Sequence, residues 1–589
     1  MNILGYFHGV DPAAALIANG ELRAYVEEER LIRFKHADGI FPIRSLDTCL
    51  RRSGLDLRDV DYIAYGWDAP RYSNGDMERF YATLNARYAP DLQTVGWQRR
   101  NLQWFSEDSL RRRLAAAVVA HFGARPEDAP PLVFYPHHAA HAAAAFYLSP
   151  FAEALVLTVD GSGDRECTVL WHGNGTELIP LERIEIPHSL GWFYAAMTEY
   201  LGFSAYDGEY KLMGLAAYGR ANVAFRDKLA QVLRPGSRGF DYVLEPRYVH
   251  HGPHTYSGRF TDHLVELLEL PPRCGPLSIG PAHEDLAFET QRALEECVLR
   301  LLRHFRDRTG LENLCIGGGV GLNVKMNSRI QRQGLFREVF AFPVPNDSGL
   351  AIGAPIGFWV QRTNRRPEPL RHLFLGPAYA DEEIEALITS CGMAYRRCED
   401  IAEATAELLA EGKVVGWFQG ALEAGPRALG GRSILADPRT AGSRDRVNAA
   451  IKFREYWRPF CPSLTEDAAP RFMKNGTSAP YMIFAFEASE EAKARVPAVV
   501  HVDDTMRVQT VDHKTNPMYY RLLKAFEART GVPVLLNTSF NVKGEAMVCS
   551  PRDAFRTFWS TGLDALAIGP FLVQKCRPPV AMAPEDVSR

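Results

Sequence analysis

A strand–turn–strand–turn–strand pattern occurs twice in this chain, and that repetition restricts the fold more than any other feature. The first copy reads Ile3-Leu4-Gly5-Tyr6-Phe7, a turn around Gly9 and Asp11, Ala13-Ala14-Ala15-Leu16-Ile17, Asn19-Gly20, then Leu22-Arg23-Ala24-Tyr25-Val26. The second reads Ala154-Leu155-Val156-Leu157-Thr158-Val159, a glycine turn over 161–163, Thr168-Val169-Leu170-Trp171, Asn174-Gly175 and Leu178-Ile179. Asn-Gly between apolar runs marks a hairpin, because both residues tolerate positive φ. Two copies of one β-meander, each opening a half of a domain, predict an internally duplicated α/β fold. An ordinary pair of hairpins explains the glycines but not the two acids, Asp160 and Asp164, that flank the second turn.

The plan resembles that of the actin/sugar-kinase nucleotidases, which bind ATP between two such halves. At 589 residues the chain exceeds one core, so at least two domains are expected. The polar, proline-bearing run Gln361-Arg362-Thr363-Asn364-Arg365-Arg366-Pro367-Glu368-Pro369 marks the junction. We place one domain over 1–361, a linker and connecting helix over 362–395, and a second domain over 396–589. Helices are expected over about 284–308, 350–361 and 381–390, and after the N-cap Ser550 with Pro551 at the first helical position.

The stretch Pro136-His137-His138-Ala139-Ala140-His141 carries the first chemistry. Proline at a first helical position followed by an alanine run predicts a helix start. His137 and His141, four apart, then share one face, which is half of a divalent metal site or a pair of structural histidines. Asp160, at the tip of an apolar strand and followed by Gly161-Ser162-Gly163, suits a metal beside a phosphate. A second strand runs into Gly317-Gly318-Gly319-Val320-Gly321-Leu322-Asn323, where backbone can approach a nucleotide.

Composition removes other classes. A formal net charge of −4 argues against non-specific nucleic-acid binding. Ten cysteines without a CxxC pair read as reduced thiols of a cytoplasmic protein. No signal peptide and no apolar run of membrane-spanning length is found, so neither export nor membrane insertion is expected.

Taken together, HHAAHA, VDGSGD, EYKLMGLAAYG, GGGVGLN, AGPRALGGRSILADPR, IKFREYWRPF, HVDDTMRVQTV and LLNTSFNVKGE resemble the O-carbamoyltransferases that modify nodulation factors and antibiotics. The resemblance runs nearly the whole length. It implies a large actin/sugar-kinase-like (ASKHA) domain joined to a smaller YrdC-like domain, similar to threonylcarbamoyl-adenylate synthase. It also implies the reaction: carbamoyl phosphate and ATP give carbamoyl-adenylate, and the carbamoyl group passes to a hydroxyl of a specialised metabolite such as an antibiotic, toxin or nodulation factor.

Carried over by position, the resemblance makes His137, His141, Asp160 and Asp347 metal ligands. Ligand type alone leaves Fe²⁺, Mn²⁺ and Zn²⁺ open; the resemblance points to Fe²⁺, with Mg²⁺ a further companion of ATP. Lys35, Asp160, Gly161, Ser162, Gly163, Gly318, Gly319 and Asn323 are the expected nucleotide contacts. Arg427, Arg432, Lys452, Arg458, Arg507, Asn537 and Ser539 are expected to bind carbamoyl phosphate and carbamoyl-adenylate, because arginine forks screen the repulsion between a carbamate and the α-phosphate. Lys452, Arg454 and Arg458 read as one helix, and Arg507 as part of a strand. A solvated basic face explains any one of these residues but not the set.

Members of the family that the chain resembles commonly carry histidine directly before the aspartate of the first turn, where this chain has Val10 and, two residues earlier, His8. His8 and Asp11 are therefore catalytic candidates without an assigned general base. Expected partners are a small hydroxylated substrate, no nucleic acid and no membrane, with the protein a monomer or homodimer. Two other readings compete: a threonylcarbamoyl transferase acting on tRNA, opposed by the acidic charge and the fused second domain, and a silent nucleotide-binding scaffold, opposed by the intact metal and arginine positions.

Overall fold

The computed structural model describes residues 1–250, 257–274, 278–476 and 478–575. In the first meander, β1 (Asn2–Phe7), β2 (Ala13–Ala18) and β3 (Glu21–Glu27) are joined by β4 (Tyr62–Tyr65) and β5 (Leu132–Phe134) in a sheet of order β3-β2-β1-β4-β5. The second meander, β6 (Glu153–Gly163), β7 (Glu166–Asn174) and β8 (Glu177–Glu185), is followed by a short hairpin, β9 (Leu233–Pro235) and β10 (Tyr242–Leu244). It is completed by β11 (Asn313–Gly317) and β12 (Glu338–Ala341), giving the order β12-β11-β6-β7-β8.

The two sheets share one plan. In each, the first strand pairs antiparallel with the second and the second with the third, while the first also pairs parallel with a strand that a crossover brings in. A fifth strand then adds in parallel. The internal duplication expected from the repeated pattern is thus present strand for strand. Strands β1 and β6 sit inside their sheets and are buried along nearly their whole length, which is why they read as continuous apolar runs.

A helix follows each fifth strand, His137–Tyr147 after β5 and Leu350–Thr363 after β12, and these two helices pack on one another between the sheets. Small residues make this possible. A Cβ at Gly353 would lie 2.0 Å from the Ala140 carbonyl oxygen, so glycine alone allows the crossing. Pro136 stands at the N-cap, one residue earlier than the first helical position expected for it.

The rest of the chain forms an eight-stranded mixed sheet. Its strands are β13 (Tyr395–Arg397), β14 (Val415–Phe418), β15 (Arg432–Ala436), β16 (Cys461–Thr465), β19 (Gln509–Val511), β20 (Val534–Ser539), β21 (Ala565–Ile568) and β22 (Phe571–Gln574), with β17 (Phe486–Glu487) and β18 (Thr505–Met506) as a separate pair. Arg507 lies between β18 and β19, outside a strand. Lys452 ends a single wide turn, Asn448–Lys452, and Arg454 and Arg458 follow in irregular backbone; the helix expected to carry all three is absent.

The junction is pinned on both sides. Tyr25 N–H donates to Leu375 O and Leu370 N–H to Leu148 O, while Ala424 N–H donates to Leu373 O. The Arg366 guanidinium donates to Phe146 O at 2.7 Å and stacks on the Phe146 ring. Side chains at the end of β3 and on the short helix after it reach further. Arg30 donates to Gly425 O at 3.1 Å, Glu27 accepts from Gly425 N–H at 2.9 Å, and Arg33 donates to the carbonyls of Ala546 and Met547. These contacts close one cavity of about 1170 Å³ between the duplicated sheets and the eight-stranded sheet.

Candidate active site

On the first helical turn of His137–Tyr147, the imidazoles of His137 and His141 bring their Nε2 atoms to 3.1 Å. Asp160, on β6, places Oδ2 at 2.8 Å from His141 and 3.4 Å from His137. Asp347, in the turn before the Leu350–Thr363 helix, places Oδ1 at 3.6 Å from His141 and 3.7 Å from His137. One donor atom from each residue therefore falls within 4.8 Å of the others. Ligands on a common ion at about 2.1 Å stand about 3 Å apart, so this set fits a divalent cation. Burial and the neighbouring Asp160 charge push the Asp347 carboxyl up, a repulsion that a cation would relieve. For His141, burial opposes the charge, but hydrogen bonds to Asp160 and Asp347 raise its pKa to about 9.

Asp164 sets this cluster in place. Its carboxylate accepts the N–H of His137 at 3.0 Å and the N–H of Asp68 at 3.1 Å, tying the start of the histidine helix to the β6–β7 turn. Burial pushes that carboxyl up to about 7. His138 turns away and hydrogen-bonds Thr158 Oγ1 at 3.0 Å, a core role.

Of the expected nucleotide contacts, Lys35, Asp160, Gly161, Ser162, Gly319 and Asn323 line the cavity. Gly163 and Gly318 do not. A Cβ on Gly163 would lie 2.0 Å from the His137 ring and one on Gly318 2.3 Å from Val159 O, so both glycines serve close packing of the elements that carry His137 and Asp160. Asn323 also caps the Val324–Arg332 helix, accepting from Met326 N–H at 3.0 Å, and pairs with Gln291.

Asp11 lines the cavity, whereas His8 does not. The His8 ring packs against Trp104 and Phe41, its Nε2 meets Gly39 O at 3.2 Å, and burial lowers its pKa to about 4. The catalytic assignment of His8 is therefore corrected. His36, which the sequence reading missed, takes the place beside Asp11. Its Nδ1 lies 2.8 Å from Asp11 Oδ1 and its Nε2 3.2 Å from Asp207 Oδ1, and Lys35 pairs with the same Asp207 oxygen. Burial opposes the imidazolium, but the two carboxylates raise its pKa to about 10, so at neutral pH His36 is a fixed cation. The loop holding it has three non-glycine residues at positive φ, Arg33, His36 and Ala37, a concentration typical of functional loops.

The opposite wall is cationic. Arg427, Arg458 and Arg507 line it, with Asn537 and Ser539 from β20. Arg454, absent from the expected set, joins them, its guanidinium 4.0 Å from the centre of the Phe460 ring. Among the described residues only Arg458 of the four has a carboxylate partner, Glu455 at 3.4 Å, and Nε of Arg427 and both Nε and Nη2 of Arg454 are buried without acceptors. Enclosure and mutual repulsion with Arg507 and Arg458 lower the pKa of both Arg427 and Arg454. Such a group of guanidiniums, three of them without a carboxylate partner among the described residues, suits an anion.

Two expected members of this set work differently. Arg432 is fully buried, donates to the carbonyls of Gln419, Gly420, Gly431 and Pro377, and lies on the Phe418 ring at 3.6 Å, so its fork is consumed by backbone. Lys452 is buried behind the wall and donates to Ser539 Oγ at 3.3 Å and Asn541 Oδ1 at 2.8 Å. It positions the β20 end and does not face the cavity.

Comparison with known proteins follows the same division. A family model described as the carbamoyltransferase N-terminus matches residues 2–356, and one described as the carbamoyltransferase C-terminus matches 406–575. An uncharacterised protein of Synechocystis is 38% identical, covering 98% of this chain and 97% of its own. The nodulation protein NolNO of Sinorhizobium fredii is 37% identical over 98% of this chain and 80% of its own. Among solved structures, component A of the Acidaminococcus fermentans (R)-2-hydroxyglutaryl-CoA dehydratase is similar at a TM-score of 0.33 and 12% identity over 61% of this chain and 98% of its own, a likeness too low to bear on the chemistry.

Proposed function

This chain belongs to the carbamoyltransferase family and is a carbamoyltransferase; we propose that it makes carbamoyl-adenylate from carbamoyl phosphate and ATP and transfers the carbamoyl group to a hydroxyl of a small molecule. The observation that carries this reading is the arginine wall. Arg427, Arg454, Arg458 and Arg507 hold four positive charges on one face of a cavity whose other face holds Asp160 and Asp347.

Water hydrolyses carbamoyl phosphate to carbamate and inorganic phosphate, and the carbamate oxygen then attacks the α-phosphorus of ATP as pyrophosphate departs. Two anions must meet in that step. Water alone screens them poorly in a closed site, whereas fixed guanidiniums stabilise the charge that both anions bring. In this reading the β20 end, with Asn537 and Ser539, forms the adenylation pocket, and the eight-stranded sheet is the YrdC-like adenylate-forming part. In the second step the acceptor oxygen attacks the carbamoyl carbon, the hydroxyl gives up its proton, and AMP leaves.

His137, His141, Asp160 and Asp347 would hold a divalent ion, by the family resemblance Fe²⁺. Such an ion, when bound, supplies positive charge next to the nucleotide phosphates. His36 and Lys35 add fixed cations on the same side, and Asp207 holds both in place. In support of an enclosed reaction, the cavity runs unbroken from the arginines to the aspartates, so the mixed anhydride can be kept from bulk water.

The test is carbamoyl-phosphate-dependent release of pyrophosphate from ATP without any acceptor. Its appearance in the wild-type protein, with its loss in Arg454→Met, is expected. Pyrophosphate release independent of carbamoyl phosphate, or none, would overturn the adenylate route.

A further inference from the structure

The helix Val324–Arg332 opens with a residue that local physics disfavours. Asn323 caps it, so Lys325 stands at the second helical position, where the helix dipole favours anions and repels a cation. A local rule broken in this way points to a contact made elsewhere. Lys325 reaches out of the duplicated part, and its Nζ donates to Asp503 and, at 3.3 Å, to Thr505 Oγ1 in the C-terminal part. Asp503 in turn accepts the Thr505 hydroxyl at 2.6 Å.

The segment held in this way is the β17–β18 pair, which stands outside the eight-stranded sheet. Its register sets Phe486 against Met506 and Glu487 against Thr505, and the chain leaves β18 directly into Arg507. The same helix grips the residues before β17. Ser328 Oγ accepts the Ala485 N–H at 2.6 Å, and the Asn327 amide donates to Ile483 O at 3.1 Å. Ala485 also packs with Val324 and Met213 in a small apolar cluster separate from the main core. Both strands of the pair are thus fixed by one helix of the N-terminal part. On its own side Arg507 leans on a weak acceptor, with Nε donating to Cys461 Sγ at 3.0 Å.

We propose that Lys325 is a positioning residue for the arginine wall: it fixes Arg507 through Asp503 and Thr505, so that adenylate formation in the C-terminal part depends on a side chain of the N-terminal part. The proposal rests on the adenylation reading above and adds a residue to it. Adhesion alone does not account for the pair. The Lys325 and Asp503 side chains are 19% and 26% exposed, and a largely buried ion pair holds two surfaces no better than apolar residues of similar size. What the pair adds is direction, because an ammonium shared between a carboxylate and a hydroxyl orients both. Thr505 is two residues from Arg507, so a shift of β18 carries the guanidinium with it. A displacement of about 1 Å at a reacting centre can cost about 100-fold in rate.

The experiment uses the full-length protein with Lys325→Met, Asp503→Asn and Arg507→Met, singly and in pairs. Inorganic phosphate, titrated by calorimetry, reads the arginine wall, and carbamoyl-phosphate-dependent pyrophosphate release reads the reaction. Phosphate affinity is expected to fall about ten-fold in Lys325→Met and in Asp503→Asn, and no further when the two are combined. KM for carbamoyl phosphate should rise about ten-fold while KM for ATP stays within about two-fold. In the Arg507→Met background Lys325→Met should weaken phosphate binding no further, because the residue it acts through is gone. Thermal unfolding establishes that each variant is folded, and the near-isosteric Asp503→Asn carries the test should Lys325→Met not fold. Absence of pyrophosphate release in the wild type overturns the adenylation reading alone, since the phosphate titration still judges the positioning. Folded Lys325 or Asp503 variants that bind phosphate as the wild type does, an equal rise in both KM values, or an equal loss with and without Arg507 would each overturn the assignment.

Discussion

Replacing Arg427 by methionine should make the protein more stable and less active at once. Burial and the like charges of Arg507 and Arg458 hold the Arg427 pKa down from 12.5 to about 9, still charged at neutral pH. In a dry site that difference would correspond to about 5 kcal/mol of unfavourable interaction, at 1.36 kcal/mol per pKa unit. Arg427 is only part-buried and faces a solvent-reachable cavity, and water there screens much of the repulsion. A methionine keeps most of the aliphatic packing and removes the charge, so we expect a gain of about 1–2 kcal/mol in urea unfolding without ligand. Added carbamoyl phosphate should reverse the order. A ligand at a hundred times its Kd stabilises the wild type by about 2.7 kcal/mol, and the variant by little. Carbamoyl-phosphate-dependent pyrophosphate release should fall by about 100-fold or more. A folded variant that is less stable than the wild type without ligand, or that keeps pyrophosphate release within ten-fold, refutes the account of these arginines as an unsatisfied anion site.

The metal cluster should fail as a unit: a His137→Ala, His141→Ala double variant is expected to lose about 100-fold in metal affinity, and full occupancy by elemental analysis would remove the assignment. His36 contributes through its raised pKa, so its stabilisation is complete below the unfolded value near 6.5 and is lost as pH rises through about 10. His36→Gln should accordingly cost about 2–4 kcal/mol at pH 6 and little above pH 10, and a cost independent of pH would show that the ion pairs with Asp11 and Asp207 do not matter. Excess hydroxylamine during turnover should capture only a small share of the carbamoyl groups, since the cavity is continuous between the two sites; capture of most of them means the intermediate is released to solvent.

The parts of the molecule that local periodicity controls were legible beforehand. Apolar runs and Asn-Gly turns announced both meanders, and the spacing of His137 and His141 set their common face. What the sequence hid depends on contacts between distant segments. His36 acquires its meaning only when its loop folds back over the β1–β2 turn, where Asp11 N–H donates to His36 O. Arg432 reads like an anion ligand because it stands among glycines, but those glycines and their neighbours expose the carbonyls that its guanidinium binds. Arg454 was grouped with a helix that a wide turn at 448–452 ends early.

At Gly425 and at 546–547 the grip between the two parts of the molecule is chemically lopsided. Glu27, Arg30 and Arg33 supply side chains, whereas Gly425, Ala546 and Met547 answer with backbone atoms. Backbone carbonyls survive substitution, so positions 546 and 547 can drift without loosening the joint, while residues 27, 30 and 33 cannot. Recombination between relatives is therefore tolerant in one direction. A foreign C-terminal part grafted onto residues 1–363 should dock where its backbone course is kept and it supplies the carboxylates that stand at Asp503 and Asp553, whereas an N-terminal part that has lost residues 27, 30 and 33 should hold its partner more weakly.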